Sequence, residues 1–431
     1  MSFTAAAAAS EMKRKFDKKP TLLREKAGKE SCCIFRVPQS LVEINQKAYH
    51  PLVVSIGPYH HGSEHLKMIE EHKCRFVRSL FDRTDDTWGN LDRCFRAVAS
   101  LETEIRECYS ETSRFGSPQL VEMMVVDGCF IIELVCELLD PTKRDPDDPI
   151  FKMDWILPFV MRDLLKLENQ IPYFVLEKLF LISVPNPVDT LQNLILKFIS
   201  FSLEKPGSVR TKHLHLHLLD LVRESFRPKS SRSPVPPANS NKQLIQPAKK
   251  LDLAGIKFET RKRPDICFLD VMFSNGVLKI PPLRMDDFIT CFILNCVAFE
   301  QCYGHCEKFV TDYVTFMKCL INNPKDAGFL SDHKIIENYY GTDEEVTRFF
   351  DKVCKDVAFD FGNSYLYRLI KDVNQYYWND WHVRWASFKH TYFDTPWSFM
   401  SASAALILLI LTMIQTFLAY YAYDHPPKQS S

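Results

Sequence analysis

The chain has 431 residues, 46% of them apolar and 25% charged, with 54 Lys and Arg balanced by 54 Asp and Glu. That length and composition support full hydrophobic cores, as one large or two medium globular units, and exclude a disordered tether. The zero net charge offers no basic surplus for nucleic acid, and 13 glycines are few for a turn-rich all-β fold.

Residues 1–31 form a basic arm, with eight Lys or Arg against four acidic residues, and its polarity predicts disorder. Residues 34–61 read IFRVPQSLVEINQKAYHPLVVSIGPYHH. Pro38, Pro51 and Pro58 forbid a long helix there, and residues 52–56 make at most one short strand. Such irregular apolar backbone is expected to pack across a domain. A helix is predicted over 63–82, and Leu91, Phe95, Val98, Leu101, Ile105 and Cys108 recur at spacings of three and four, which marks another, amphipathic helix. Pro118 suits a first helical turn, after which residues 120–139 are apolar nearly all round and belong in a core.

Residues 140–149, DPTKRDPDDP, form a proline-broken connector, and Asp154 is placed to cap a helix running to Lys166. In LLKLENQIPYFVLEKLF, Pro172 forces a break that puts Glu168, Asn169 and Gln170 in a polar corner between two apolar helices. Helices at 188–203 and 212–226 follow. Residues 227–250, with five prolines and four serines, read as a flexible insertion within a body that extends from 32 to 395. Residues 256–258 and 266–273 look extended, and Asn275-Gly276 between apolar strands signals a hairpin ending at 280. Helix returns over 286–321 with an interruption near Gly304. Thr342-x-x-Glu345 makes a capping box, and a last aromatic-rich helix covers 365–390. The fold class is mainly α: a helical globular body with a small β hairpin element and one C-terminal transmembrane helix.

That last helix is residues 396–423, where Trp397 to Tyr423 carry no Asp, Glu, Lys or Arg, and about 20 apolar residues already span a ~30 Å hydrocarbon core. Trp397 and Tyr423 lie where aromatic rings prefer the two interfaces, and Leu409 sits mid-span. Ser401, Ala405, Thr412, Thr416 and Ala419 form a small, weakly polar stripe beside Gln415 that suits self-association. Only the short tail 424–431 follows, and no N-terminal signal precedes. A tail-anchored, single-pass protein with its bulk in the cytosol is therefore expected, in the plasma membrane or endoplasmic reticulum. The basic bias of Arg384 and Lys389 over Lys428 and the lack of any Asn-x-Ser/Thr site agree. In that compartment the 14 cysteines should be reduced thiols.

IFRVPQSLVEINQKAYHPLVVSIGPYHHGSEHLKMIEEHK, VVDGCFIIELV, LENQIPYFVLEKLF, GVLKIPPLRMDDF with VAFEQC, and YFDTPWSFMSASAALILLILTMIQT closely resemble the plant-specific family called domain of unknown function 247. The resemblance runs from about residue 34 to 421. It implies no established biochemical activity. Some grass members are linked to pollen and stigma self-incompatibility, which implies recognition between proteins.

The chain lacks G-x-S-x-G, a P-loop, G-x-G-x-x-G, H-E-x-x-H and C-x-x-C, so the common templates are excluded, though not enzymes as such. His61, His65 and His72 step by four and seven and could offer imidazoles to zinc, with Glu64 or Glu71 nearby, but Gly57, Pro58 and Gly62 suggest that the helix begins after His61. No metal or other cofactor is assigned. Asp127, in an apolar helix, and Glu168, Asn169 and Gln170 form a candidate binding corner; buried carboxylates and amides between helices more commonly satisfy loop and helix-end backbone. Cys291, Cys296, Cys302 and Cys306 fit no common zinc spacing and read as buried helix residues. His213, His215 and His217 splay around the expected helix. The leading functional reading is a membrane-tethered recognition or adaptor protein with a protein partner. The alternative is a membrane-bound, hydrolase-like enzyme with an unfamiliar His/Asp/Glu site.

Overall fold

The computed structural model describes residues 5–424 other than 17, 44, 85, 186, 204–214, 230–243, 264–265, 356 and 380–395. Helix α1 (Ala5–Phe16) occupies the arm whose polarity predicts disorder. Its alanine run has high helix propensity, and Lys13, Arg14 and Lys15 sit at the negative end of the helix dipole. Farther along, the arm is held to the body: the Arg24 guanidinium bonds the carbonyls of Arg106 and Tyr109, and Ala27 is buried. Two short helices follow, α2 (Gln39–Val42) and α3 (Gln46–Tyr49), and residues 51–57 form no strand. After a 3₁₀ turn at Glu64–Leu66 comes α4 (Lys67–Asp82). The amphipathic stretch is two helices, α5 (Thr87–Ala99) and α6 (Glu102–Cys108), parted where the Ser100 hydroxyl bonds the Ala97 carbonyl and competes with the helical ladder. Pro118 opens α7 (Ser117–Leu139), which is buried along most of its length.

Asp148, rather than Asp154, caps the short α8 (Pro149–Lys152), and a separate α9 (Ile156–Asp163) stops before Lys166. Pro172 precedes α10 (Tyr173–Ser183), and the Thr190 hydroxyl caps α11 (Leu191–Ile199). Helices α4, α5, α10 and α11 all pack on α7, which makes it the axis of the N-terminal half. The helix expected over 212–226 is the shorter α12 (Leu218–Ser225), because His217 caps it by accepting the Asp220 N–H, so His215 lies outside it. His213 and residues 230–243 of the insertion lie outside the described residues. The end of the insertion belongs to the body, with Ile245 buried and α13 (Ala248–Leu253) beginning at a buried alanine.

Strands β1 (Lys257–Thr260), β2 (Met272–Ser274) and β3 (Val277–Ile280) form a sheet in the order β1-β3-β2. β2 and β3 are the expected hairpin: Ser274 faces Val277, and Asn275 and Gly276 take φ of 50° and 74°, as a two-residue type I′ turn requires. Beyond Pro281-Pro282, β4 (Leu283–Met285) leads to α14 (Asp287–Cys302), whose N-terminal N–H groups are capped by Asp286. Helices α15 (Phe309–Leu320) and α16 (Pro324–Asp332) follow, then β5 (Ile336–Asn338), which pairs in parallel with β4. The Thr342 hydroxyl caps α17 (Asp343–Val353) by accepting the Glu345 N–H, while the Glu345 carboxylate meets that hydroxyl, not the backbone as in a full capping box. The described part of the aromatic helix is α18 (Tyr367–Tyr377).

One buried apolar cluster takes in both halves, from Ala27 to Val373. Polar joints reinforce it. Asn295 on α14 accepts the Leu167 N–H at 2.9 Å and donates to the Ala48 carbonyl at 2.9 Å. The last helix, α19 (Pro396–Asp424), has 29 residues, and within it none of Ser403–Tyr421 is buried. Among the described residues it is the one helix long and apolar enough to cross a membrane while standing outside the core; α7 and α14, also strongly apolar, are buried.

Candidate functional site

Residues 51–57 cross the interior without regular structure, so their backbone groups need partners from elsewhere. The N–H groups of Leu52, Val53 and Val54 converge on Asp163 Oδ2 at 2.8, 2.7 and 3.1 Å. Ile56 N–H donates to Asn169 Oδ1, and Gly57 N–H to Asp127 Oδ2, each at 2.7 Å. On the acceptor side, the Val54 carbonyl takes Asn169 Nδ2 at 3.1 Å and the Ser55 carbonyl takes the Lys73 ammonium at 2.5 Å. The approach is so close that a Cβ on Gly57 would stand 2.5 Å from the Gln170 carbonyl oxygen, and the φ of 73° there independently favours glycine.

The other corner residues are engaged in the same way. Glu168 Oε1 accepts the Val37 N–H at 2.8 Å, and Oε2 meets Arg36 Nη1 at 2.8 Å and His60 Nε2 at 2.9 Å. Gln170 Nε2 donates to the Leu164 and Lys166 carbonyls at 2.7 and 2.8 Å, and Oε1 accepts the Leu219 N–H at 3.1 Å. Helix α9 ends just before this turn, so its last carbonyls need such donors.

Two buried ammonium groups balance the carboxylates. Lys73 Nζ lies 2.5 Å from Asp127 and 2.7 Å from Glu70; Lys166 Nζ lies 2.8 Å from Asp163 and also bonds the carbonyls of Lys47 and His50. Burial pulls Lys73 toward neutrality, but Asp127 and Glu70 outweigh it and hold the ammonium above its ordinary pKa. Burial likewise pushes Glu168 up, yet His60, the Val37 N–H and Arg36 together bring it below the usual carboxylate range. Asp127, Glu168 and Asn169 thus clamp residues 34–57 onto the helices, while Gln170 ties the end of α9 to the start of α12. None of them lines the cleft of about 220 Å³ between Arg261 and Ile289.

His61, His65 and His72 do not converge. The helix begins at Lys67, so the first two never join the face of the third. His61 packs edge-on against Phe115 with Glu70 3.7 Å away, His65 faces the Pro51 carbonyl at 3.3 Å, and His72 meets Arg75 at 3.1 Å. Among the described residues no group of three or more His, Cys, Asp and Glu could hold a metal. The 14 cysteines are all free; Cys291 and Cys296 are buried on α14, and burial pushes the Cys291 thiol up to about 11.

Sequence reasoning missed several members of this polar framework. Asp163, Lys73 and Lys166 carry no signal of burial in the sequence, since each has another charged residue within two positions. A second buried centre is built around Arg223. Arg223, fully buried, lies 3.0 Å from Glu300 Oε1, 3.2 Å from Asp220 and 2.6 Å from Glu224, and its guanidinium lies over the Phe309 ring at 4.3 Å. Glu300 in turn accepts the Val310 and Thr311 N–H groups at 3.1 and 2.7 Å and so caps α15.

The sequence profile of the domain of unknown function 247 family, described as a plant protein of unknown function, matches residues 34–411. The chain belongs to this family. Proteins with similar sequences include the UPF0481 protein At3g47200 of Arabidopsis thaliana, 42% identical over 434 aligned residues that cover 95% of this chain and 91% of that protein. The UPF0481 protein At3g02645 of the same plant is 21% identical, with 89% of each chain covered. No solved structure matches this member of the domain of unknown function 247 family. The profile begins at the clamped segment and ends inside α19, so it takes in the corner and much of the apolar helix.

Proposed function

We propose that this is a membrane-tethered recognition or adaptor protein: α19 crosses the bilayer once, and the helical body lies in the cytosol and engages a protein partner in plant signalling or cell recognition. The observation that supports this reading is the exposure of α19. Leu406 to Leu411, Met413, Ile414, Phe417 and Leu418 are all open in the folded chain. Each such side chain gains about 1.5–3 kcal/mol on leaving water, so the helix needs an apolar environment that the body does not provide. Leu409 and Gln415 are among the exposed residues of the span. Trp397 and Tyr423 lie within its helical backbone, and their side chains fall outside what is described. Thr412 and Thr416 donate to the Leu408 and Thr412 carbonyls at 2.7 and 2.8 Å, which suits hydroxyls in hydrocarbon. Sodium carbonate extraction tests the reading. The full chain should stay with the membrane and a chain ending at Thr395 should be released; release of the full chain would overturn it.

A further inference from the structure

The cleft of about 220 Å³ opens where the two small sheets meet the first turn of α14. Three consecutive basic residues, Arg261, Lys262 and Arg263, leave the end of β1 and all line it, and Arg284 of β4 adds a fourth cation. Two carboxylates, Asp286 and Glu337, share the rim. Both are engaged already. Asp286 accepts the Phe288 and Ile289 N–H groups at 2.9 Å while holding Arg284 Nε at 2.6 Å, and Glu337 lies 4.0 Å from Lys262. Arg261 Nη1 donates to a carbonyl, that of Asp270, at 3.0 Å. Among the described residues, no carboxylate lies at ion-pair distance from Arg263. Among the described lining residues the rim thus keeps a surplus of two positive charges, four cations against two anions, in a concavity that concentrates their field.

Beneath the rim the lining changes character. Phe226 and Phe268 are buried with their rings 5.4 Å apart, and Ile289 closes the same wall. A solvated charged face would need no such floor. The volume exceeds the ~150 Å³ that admits benzene to an engineered cavity, so one small ring fits. Guanidinium forks match phosphate oxygens geometrically as well as electrostatically.

We propose that this cleft binds a phosphomonoester with a small apolar body, its phosphate among Arg261, Arg263 and Arg284 and its apolar part on Phe226, Phe268 and Ile289. A soluble metabolite and a lipid headgroup present the same phosphate dianion. The test uses the full chain in phosphatidylcholine nanodiscs, titrated with phenyl phosphate and followed by calorimetry. Binding at about 1 mM or tighter is expected, with phenol, which lacks the phosphate, at least about tenfold weaker. Arg263→Gln, at an exposed position, should weaken phenyl phosphate at least about tenfold without changing the melting temperature, and Arg261→Gln should add to the loss. Arg93→Gln and Arg96→Gln on α5 should leave binding unchanged. Replacing part of the phosphatidylcholine by phosphatidic acid separates the sources: competition with phenyl phosphate identifies a lipid headgroup, and its lack a soluble ligand. Failure of phenyl phosphate to bind, phenol binding as tightly, or an equal loss in the α5 variants would each overturn the proposal.

Discussion

Residues 51–57 and α19 face the same physical problem and solve it in opposite ways. The crossing segment takes its backbone polar groups into surroundings without water, and so does α19 in the proposed membrane-tethered state. The crossing segment has no ladder of its own and borrows acceptors from Asp163, Asn169 and Asp127, residues 70 to 113 positions away in the chain. The helix closes its own bonds within four residues and borrows nothing. The first solution therefore exists only when the whole body is folded. The second can form wherever the surroundings are apolar, so stability of the body and retention in a membrane should be separable properties.

Asp163→Ala should separate them most. It removes the acceptor of three N–H groups and leaves Lys166 buried without its carboxylate, a change that costs about 3–5 kcal/mol in buried ion pairs. Chemical denaturation should show that loss, while carbonate resistance of the full chain should be unchanged; an unaltered denaturation midpoint would contradict the clamp. The converse variant is Leu409→Arg, expected to weaken insertion by roughly 2.5–3.5 kcal/mol without moving the melting transition of the body.

A subtler separation comes from pH. Burial drives the His217 imidazole down to about 3, so it stays neutral, accepting the Asp220 N–H at Nδ1 and donating from Nε2 to the Cys33 carbonyl at 3.2 Å. The unfolded chain takes up that proton near pH 6.5 and the native chain does not, so this contribution is full above pH 6.5 and is lost as pH falls toward 3. Between pH 7 and pH 5 the loss is about 2 kcal/mol. Burial also pushes the adjacent Asp220 carboxyl up to about 6, which works in the opposite direction. The measurement is therefore the difference in slope between the parent and His217→Asn, an N-cap replacement: the variant should lose less stability on acidification, and parallel curves would refute a neutral His217. The smallest effect belongs to α19. Gln415→Leu with Ala405→Ile should weaken any pairing of the helix by about 0.6 kcal/mol in a bilayer dimerisation assay, and Leu409→Ile should do nothing.

What could be read from the sequence divides along the same line. Signals that are local survived: the long, strongly apolar text of α7 and α19, Asp286 before α14, and Asn275-Gly276, whose turn fixes the register of its own strands. Features that depend on distant partners did not. β4 and β5 have three residues each and meet across three intervening helices, so neither carries a pattern long enough to recognise. The break between α5 and α6 rests on one serine hydroxyl, and the late start of α12 on a histidine that caps where periodicity alone continues the helix. Asp127 and the 168–170 corner stood out as polar residues in apolar surroundings, but nothing near them names residues 52–57 as what they hold. Asp163 and Lys73 were hidden for the opposite reason, since charges beside other charges look solvated until the fold buries them.

The hairpin gives α18 a mechanical consequence. Tyr376 of α18 packs edge-on against Phe273 at 5.9 Å, and its hydroxyl lies so near the turn that a Cβ on Gly276 would stand 2.7 Å from it. Along the chain these are among the last described contacts before α19, and a pull along α18 loads β2, the edge strand of the β1-β3-β2 sheet. β2 has three residues and pairs on one side only, with β3, so few rungs hold it. Under such a pull this edge strand is placed to peel before the clamped interior yields.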